Sequence, residues 1–165
     1  MVRIGEIKKK NNYNKMAINA IETKEKNQKL KLIYCEKRGR GIKAINEILK
    51  GEVVTEYSGE LITHKEAKQR DEVYSKQDKF ESYMIYFKQN EKKYAIDAQS
   101  ENNTYGRLIN HSKKKNNVKP VVFVYKKVPK IVLVAKRNIE KDEEILFDYG
   151  ENDKQIIKAN PWLND

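Results

Sequence analysis

Gly106-Arg107-Leu108-Ile109-Asn110-His111-Ser112 and Glu143-Glu144-Ile145-Leu146-Phe147-Asp148-Tyr149-Gly150 are the two stretches whose reading decides the fold. Each runs apolar residues directly into polar ones: an Asn-His-Ser triplet in the first, an Asp-Tyr-Gly turn in the second. A short apolar run is the mark of a buried strand, which delivers whatever follows it to a defined place. Taken singly, each stretch keeps more than one reading. Asn110-His111-Ser112 can be a capped turn with the histidine bonding locally, a glycosylation sequon (as can Asn102-Asn103-Thr104), or a ligand site. Asp148-Tyr149-Gly150 can be an ordinary turn.

Working outward, residues 12–26 read as a helix with Met16, Ile18 and Ile21 as a modest apolar face and Asn27 as its stop. A strand is expected over 30–34, then a tight turn at Gly39 and Gly41 before 42–45. Lys50-Gly51-Glu52 turns into a strand over 53–57, and Ser58-Gly59 turns before Glu60-Leu61-Ile62. Thr63, with Glu66 three residues on, forms a capping box for a helix running to about Lys76. Strands over 83–88 and 93–97 flank the polar Gln89-Asn90-Glu91 turn, and two more cover 121–125 and 130–135. A turn near Lys141-Asp142 leads to a short strand at Ile145-Leu146-Phe147, and a last short helix over 153–159 ends at Pro161-Trp162. Many short strands and few helices indicate an α+β domain that is mainly β.

Composition bounds the function. At 165 residues the chain fits one domain with a real core. Charged residues make up 36% and hydrophobic ones 38%, but the strand-like apolar runs argue against disorder. No run reaches transmembrane length and no signal architecture opens the chain, so a soluble, intracellular protein with no membrane contact is expected. The single cysteine, Cys35, excludes an internal disulfide and a multi-cysteine zinc site. The formal net charge of +11 has two readings. It suits a polyanion such as DNA, RNA or a nucleosome. Equally, runs such as Lys113-Lys114-Lys115-Asn116-Asn117 fit neutral surface drift in a chain rich in Lys, Asn and Ile. His64, at a helix start, is assigned no function, and no P-loop, paired metal ligands or nucleophile elbow is present.

Order and spacing join the pieces. Arg38-Gly39-Arg40-Gly41-Ile42, then Glu56-Tyr57-Ser58-Gly59-Glu60-Leu61-Ile62, then 106–112, then 144–150 follow one another as in SET-domain protein lysine methyltransferases, which the chain resembles from about Leu30 to its end. Gly106 to Lys113, Tyr83-Met84-Ile85-Tyr86-Phe87 and Ala159-Asn160-Pro161-Trp162-Leu163 resemble most the monomethylating histone H4 lysine-twenty subfamily, which lacks the zinc-binding cysteine cluster found after the SET core in many relatives. The resemblance implies a SET fold over 30–150 between an N-flanking helical segment (1–29) and a C-flanking helix and tail (151–165), with a knot-like crossing of the 110–111 and 148–149 segments. It implies S-adenosylmethionine as cofactor, with no metal. Arg38, Gly39, Arg40, Tyr83, Asn110 and His111 would line the cofactor site, Arg107 would brace it, and Trp162 would pack near the adenine. Tyr149 matches the catalytic tyrosine, and Tyr57 lines the lysine channel.

The resemblance further implies a nuclear, chromosomal enzyme acting on the histone H4 tail and nucleosome as a monomer, with DNA contact through the basic surface. Two departures stand out. Phe147 occupies a position where the monomethylating subfamily has tyrosine, which leads us to expect di- and trimethylation. Ser82 stands where relatives often carry cysteine. The alternatives are a chromatin- or nucleic-acid-binding module that kept the fold without turnover, and a methyltransferase for a non-histone protein.

Overall fold

The computed structural model describes residues 4–23, 28–36, 38–76, 83–150, 158 and 161–165, with the backbone alone for 4–11, 162 and 163. In chain order the elements are α1 (Ile4–Thr23), β1 (Leu30–Cys35), β2 (Gly39–Ala44), β3 (Val53–Glu56), β4 (Glu60–Thr63), α2 (His64–Ser75), β5 (Met84–Gln89), β6 (Lys92–Asp97), β7 (Asn110–His111), β8 (Val118–Tyr125), β9 (Val128–Ala135) and β10 (Leu146–Phe147). Short 3-10 turns occur at Gly106–Leu108 and Pro161–Asn164. The mainly β, α+β class expected from the sequence is observed.

The apolar run of β9 lies at the centre because both of its faces are covered. Ile131, Leu133 and Ala135 join the main core with Ile42, Ile48, Val54, Ile109, Ile139 and Ile145. Val132 and Val134, pointing the other way, meet Ala17 and Ile21 of α1. A strand buried on both sides has no use for polar alternation, which is why its sequence shows none. β9 sits between β3 and β8 in an antiparallel sheet, with a register irregularity between Val53 and Thr55. A second antiparallel sheet orders β4–β6–β5, and β1 pairs with β2.

Three expectations are corrected. α1 begins at Ile4 rather than near residue 12, and its buried stripe is built on Tyr13, Met16, Ala17, Ala20 and Ile21, leaving Ile18 outside that cluster. That stripe follows the i, i+3/i+4 spacing of one helix face, which alanines satisfy as well as bulkier residues. Gly41 is not part of the expected turn: it lies within β2 opposite Ile33, whereas Gly39, at φ +69, ends the turn opposite Cys35, next to the Arg38 amide that donates to the Cys35 carbonyl at 3.1 Å. The capping box is half made: the Glu66 amide donates to the Thr63 hydroxyl at 3.3 Å, but the Glu66 carboxylate accepts from Arg70. The expected helix over 153–159 is outside the described residues apart from Lys158, as is the helix stop at Asn27.

α2 is locked to the second sheet by Arg70, whose guanidinium bonds Glu60, Glu66 and the buried carboxylate of Asp97. Asp97 also accepts from the Tyr74 hydroxyl and the Gln99 amide, so that burial leaves none of its oxygens bare. The β5–β6 and β8–β9 hairpins turn through Asn90-Glu91 and Lys126-Lys127, each pair at positive φ, as two-residue hairpin loops require. No helix among the described residues is long and apolar enough to cross a membrane.

Candidate active site

The two stretches quoted at the outset meet as a parallel pair, Leu146 opposite Asn110 and Phe147 opposite His111. The Ser112 amide donates to the Phe147 carbonyl at 3.1 Å, which extends the pairing beyond the two strands. The 3-10 turn at Gly106–Leu108 brings β7 into place because Gly106 lies directly on the end of β3. A Cβ there would stand 2.4 Å from the Glu56 carbonyl oxygen and 2.8 Å from the Tyr57 Cα. Both are backbone atoms that cannot swing aside. Gly106→Ala is therefore expected to destabilise the fold by about 1–3 kcal/mol or more, as a lowered midpoint in urea or thermal melts.

Tyr57, Phe147, Tyr149 and His111 form one aromatic cluster. Phe147 meets Tyr57 edge-on at 6.1 Å between ring centres and Tyr149 at 4.7 Å, and His111 lies 5.0 Å from Tyr149. Tyr57 and Phe147 are buried, whereas Tyr149 is 41% exposed. Burial, reinforced by nearby Tyr149, pushes the Tyr57 phenol above its ordinary 10.0, so it remains a neutral hydroxyl. Tyr149 is held at both ends: its amide donates to His111 Nδ1 at 3.0 Å and its hydroxyl donates to the Ile109 carbonyl at 2.9 Å. Because Nδ1 accepts, the proton of the neutral imidazole belongs on Nε2. His111 thus bonds a residue 38 positions away.

A polar rim adjoins the cluster. Glu144 is its hub, accepting from Arg38 Nη2 at 2.6 Å, Asn110 Nδ2 at 3.1 Å and Cys35 Sγ at 3.5 Å. Gly41 makes this convergence possible, since a Cβ there would stand 2.8 Å from Asn110 Nδ2 and 3.1 Å from Glu144 Oε1. Arg38 also reaches the His111 carbonyl at 3.4 Å. Beside it, buried Arg107 donates to the Ala98 and Gln99 carbonyls and lies 4.1 Å over the Tyr83 ring. Glu101 then links Arg107 to Arg40, at 3.2 and 2.5 Å.

The expected residues therefore fall into three linked groups: Arg38, Asn110 and His111 around Glu144; Arg40, Tyr83 and Arg107 around Glu101; and Tyr57, Phe147 and Tyr149 with His111. Gly39 sits opposite Cys35 beside the first. Ser82 and the Trp162 side chain are outside the described residues. The tail itself docks here, for the Asp165 carbonyl accepts from Ser112 Oγ at 3.0 Å and the Lys114 amide at 2.9 Å. Among the described residues no group of three or more His, Cys, Asp or Glu side chains is placed to hold a metal ion. The guanidinium groups and carboxylates of this rim neutralise one another in pairs, and Arg38 and Arg40 keep part of their side chains exposed beside the aromatic cluster.

Glu144 and Asn117 were missed in the sequence, the first because one more glutamate in a charged chain carries no signal. Asn117 corrects the surface-drift reading of 113–117: it has no exposed surface. Its side chain bonds Glu143 Oε1, the Glu144 carbonyl and the Leu146 amide. The hydrogen bonds of Arg137, together with those of Asn117 and the Glu140 amide, hold the Glu143 carboxyl near 2, below its ordinary 4.5. A depressed carboxylate stabilises the fold fully above about pH 4.5 and loses that contribution as pH falls towards 2. Glu143→Gln should therefore lower stability at neutral pH, and its deficit relative to the parent should shrink through that window in melts run from pH 7 to pH 2.

Residues 39–150 match the SET domain family. N-lysine methyltransferase KMT5A-A of Danio rerio is 41% identical over 130 residues, covering 79% of this chain and 38% of that protein. Histone-lysine N-methyltransferase set-1 of Caenorhabditis elegans is 39% identical over 150 residues, covering 90% of this chain and 62% of the relative. The crystal structure of CpSET8 from Cryptosporidium superimposes with a TM-score of 0.69 at 41% identity, covering 75% of this chain and 58% of that one. This chain thus spans less than two thirds of the length of each of them. With the family's segments matched in sequence and brought together in space, the chain belongs to the SET-domain family.

Proposed function

We propose that the protein is a lysine N-methyltransferase that uses S-adenosylmethionine to methylate histone H4, at lysine twenty by its subfamily resemblance, and that it proceeds to di- and trimethyl-lysine. The observation that carries this reading is Tyr149, a partly exposed phenol pinned by His111 and Ile109 beside the buried rings of Tyr57 and Phe147.

S-adenosylmethionine, when bound, supplies an electrophilic methyl group on a sulfonium. Arg38, Gly39, Arg40, Tyr83, Asn110 and His111 would hold it, with Arg107 bracing Tyr83 and Trp162 closing over the adenine. The rest of the task falls to the walls of the lysine channel. A lysine must be neutral to attack, and at pH 7 neutralising it costs about 4–5 kcal/mol from its reference pKa of about 10.4. The Tyr57 and Phe147 rings disfavour the charged amine by withholding water, and the proton leaves through solvent without a dedicated base. The Tyr149 hydroxyl orients the amine. Alignment of amine and methyl lowers the barrier by on the order of 7–11 kcal/mol at best.

The SET domain would occupy 30–150, flanked by the segments 1–29 and 151–165. The substrate would place the enzyme in the nucleus, on chromatin, as a monomer whose basic surface contacts nucleosomal DNA. Transfer of labelled methyl groups from S-adenosylmethionine to free histone H4, nucleosomes and a peptide array tests the reading. Incorporation at lysine twenty of H4 is expected. Cofactor binding with no transfer to any substrate would leave a binding module, and transfer confined to non-histone peptides would overturn the histone assignment.

A further inference from the structure

Asn117 is a fully engaged, buried polar residue near the active site, and its side chain bonds none of Tyr57, Phe147 and Tyr149. A buried amide is costly unless every polar atom is satisfied, and here each one is. Oδ1 accepts from the Leu146 amide at 2.9 Å; Nδ2 donates to the Glu144 carbonyl at 2.8 Å and to Glu143 Oε1 at 3.1 Å. The Asn117 amide donates to the Leu146 carbonyl at 2.9 Å, and its carbonyl accepts from the Lys136 amide at 2.8 Å. One residue thereby fixes the chain from Glu143 to Leu146 and ties it to the end of β9. From there the ladder passes to Ser112 and Phe147, and then to His111 and Tyr149. Only an amide offers an acceptor and two donors in this arrangement.

We infer that Asn117 is a positioning residue for methyl transfer: it sets the height of β10 against β7, and so the place of Phe147 and Tyr149 in the lysine channel. The kinetic part of the inference rests on the methyltransferase reading; the structural part does not.

Asn117→Asp is the informative change, since it keeps the acceptor for the Leu146 amide and removes the donors to Glu143 and Glu144. The new carboxylate would lie buried beside Glu143, whose charge Arg137 partly offsets; burial, with the remaining like charge, raises its pKa. When protonated it regains a donor. The variant is therefore expected to lose kcat by about hundredfold near pH 9, as small misplacements of reacting groups do, with KM for the cofactor little changed. Relative to the parent it should recover as pH falls towards about 6.5 and the new acid takes up its proton.

Amide hydrogen exchange read without cofactor supplies the independent arm. Ser112 and Tyr149, whose amides bridge β7 and β10, should exchange roughly tenfold faster in the variant while β9 amides keep their protection. Asn117→Ser, should the aspartate variant fail to fold, is expected to lose kcat without any recovery at low pH. Asn116→Asp adds the same charge one residue away, where the side chain is partly exposed and bonds the Lys113 carbonyl, and should match the parent. An unchanged kcat in Asn117→Asp, a loss equally shared by Asn116→Asp, or uniformly faster exchange across all strands would overturn the inference. Should the parent itself transfer no methyl group, the functional reading falls, and the exchange of Ser112 and Tyr149 still decides what Asn117 does.

Discussion

Tyr149→Phe is expected to lower kcat by about 10²–10³, the usual cost of removing one fixed hydrogen-bonding group from a reacting centre, and to leave the fold intact. The hydroxyl is the only atom lost. Its ring contacts with Phe147 and His111 and the amide bond to His111 Nδ1 remain available to the phenylalanine. Ile109 is only 1% exposed, so its carbonyl loses a buried donor at a cost of about 1–3 kcal/mol, less than the stability of a typical domain. Single-turnover transfer of labelled methyl groups, together with a thermal melt, separates the two effects. A loss of less than tenfold, or one matched by unfolding, would sink the catalytic assignment of Tyr149.

Phe147→Tyr should change the product rather than the rate. Phe147 is buried between Tyr57 and Tyr149; if this cluster lines the lysine channel, as proposed, a hydroxyl on its ring would take up the space in which a methylated amine turns for the next transfer. On that proposed reading phenylalanine would leave room of about one water, whose share of liquid volume is ~30 Å³, and offer no bond to hold one there. The parent enzyme is expected to carry peptide through to di- and trimethyl-lysine, and the variant to stop at monomethyl-lysine. Mass spectrometry of long reactions decides it. Only monomethyl product from the parent would remove the role given to Phe147.

The fold was legible where burial imposes a pattern. The β9 run, the β5–β6 hairpin and the Thr63 cap followed from apolar runs and turn chemistry, whereas the Lys126-Lys127 turn of the β8–β9 hairpin carried no such signal. The site was legible as an order of motifs, and the structure gathers Arg38, Tyr57, Tyr83, Arg107, Asn110, His111, Phe147 and Tyr149 into adjoining groups. What stayed hidden were partners chosen by tertiary structure. Glu144 looks like any surface acid until Gly41 leaves room for Asn110 and Arg38 to reach it. Asn117 looked like drift because local composition is blind to a bond 29 residues away. Of the two glycines of β2, Gly39 does end a turn, and Gly41 looked like part of it because sequence spacing does not distinguish a bend from a bare strand position.

The parallel pairing of β7 with β10 also has a consequence in time. Its strands are two residues long and are separated by the whole β8–β9 hairpin, so their contact returns little free energy for the loop it must close. Such contacts form late in folding, after the local hairpins that frame them. A nascent chain would acquire its sheets and most of its core before Tyr149 had any place to sit. Catalytic competence would then be the last property to arrive, and the first surrendered when the molecule begins to open.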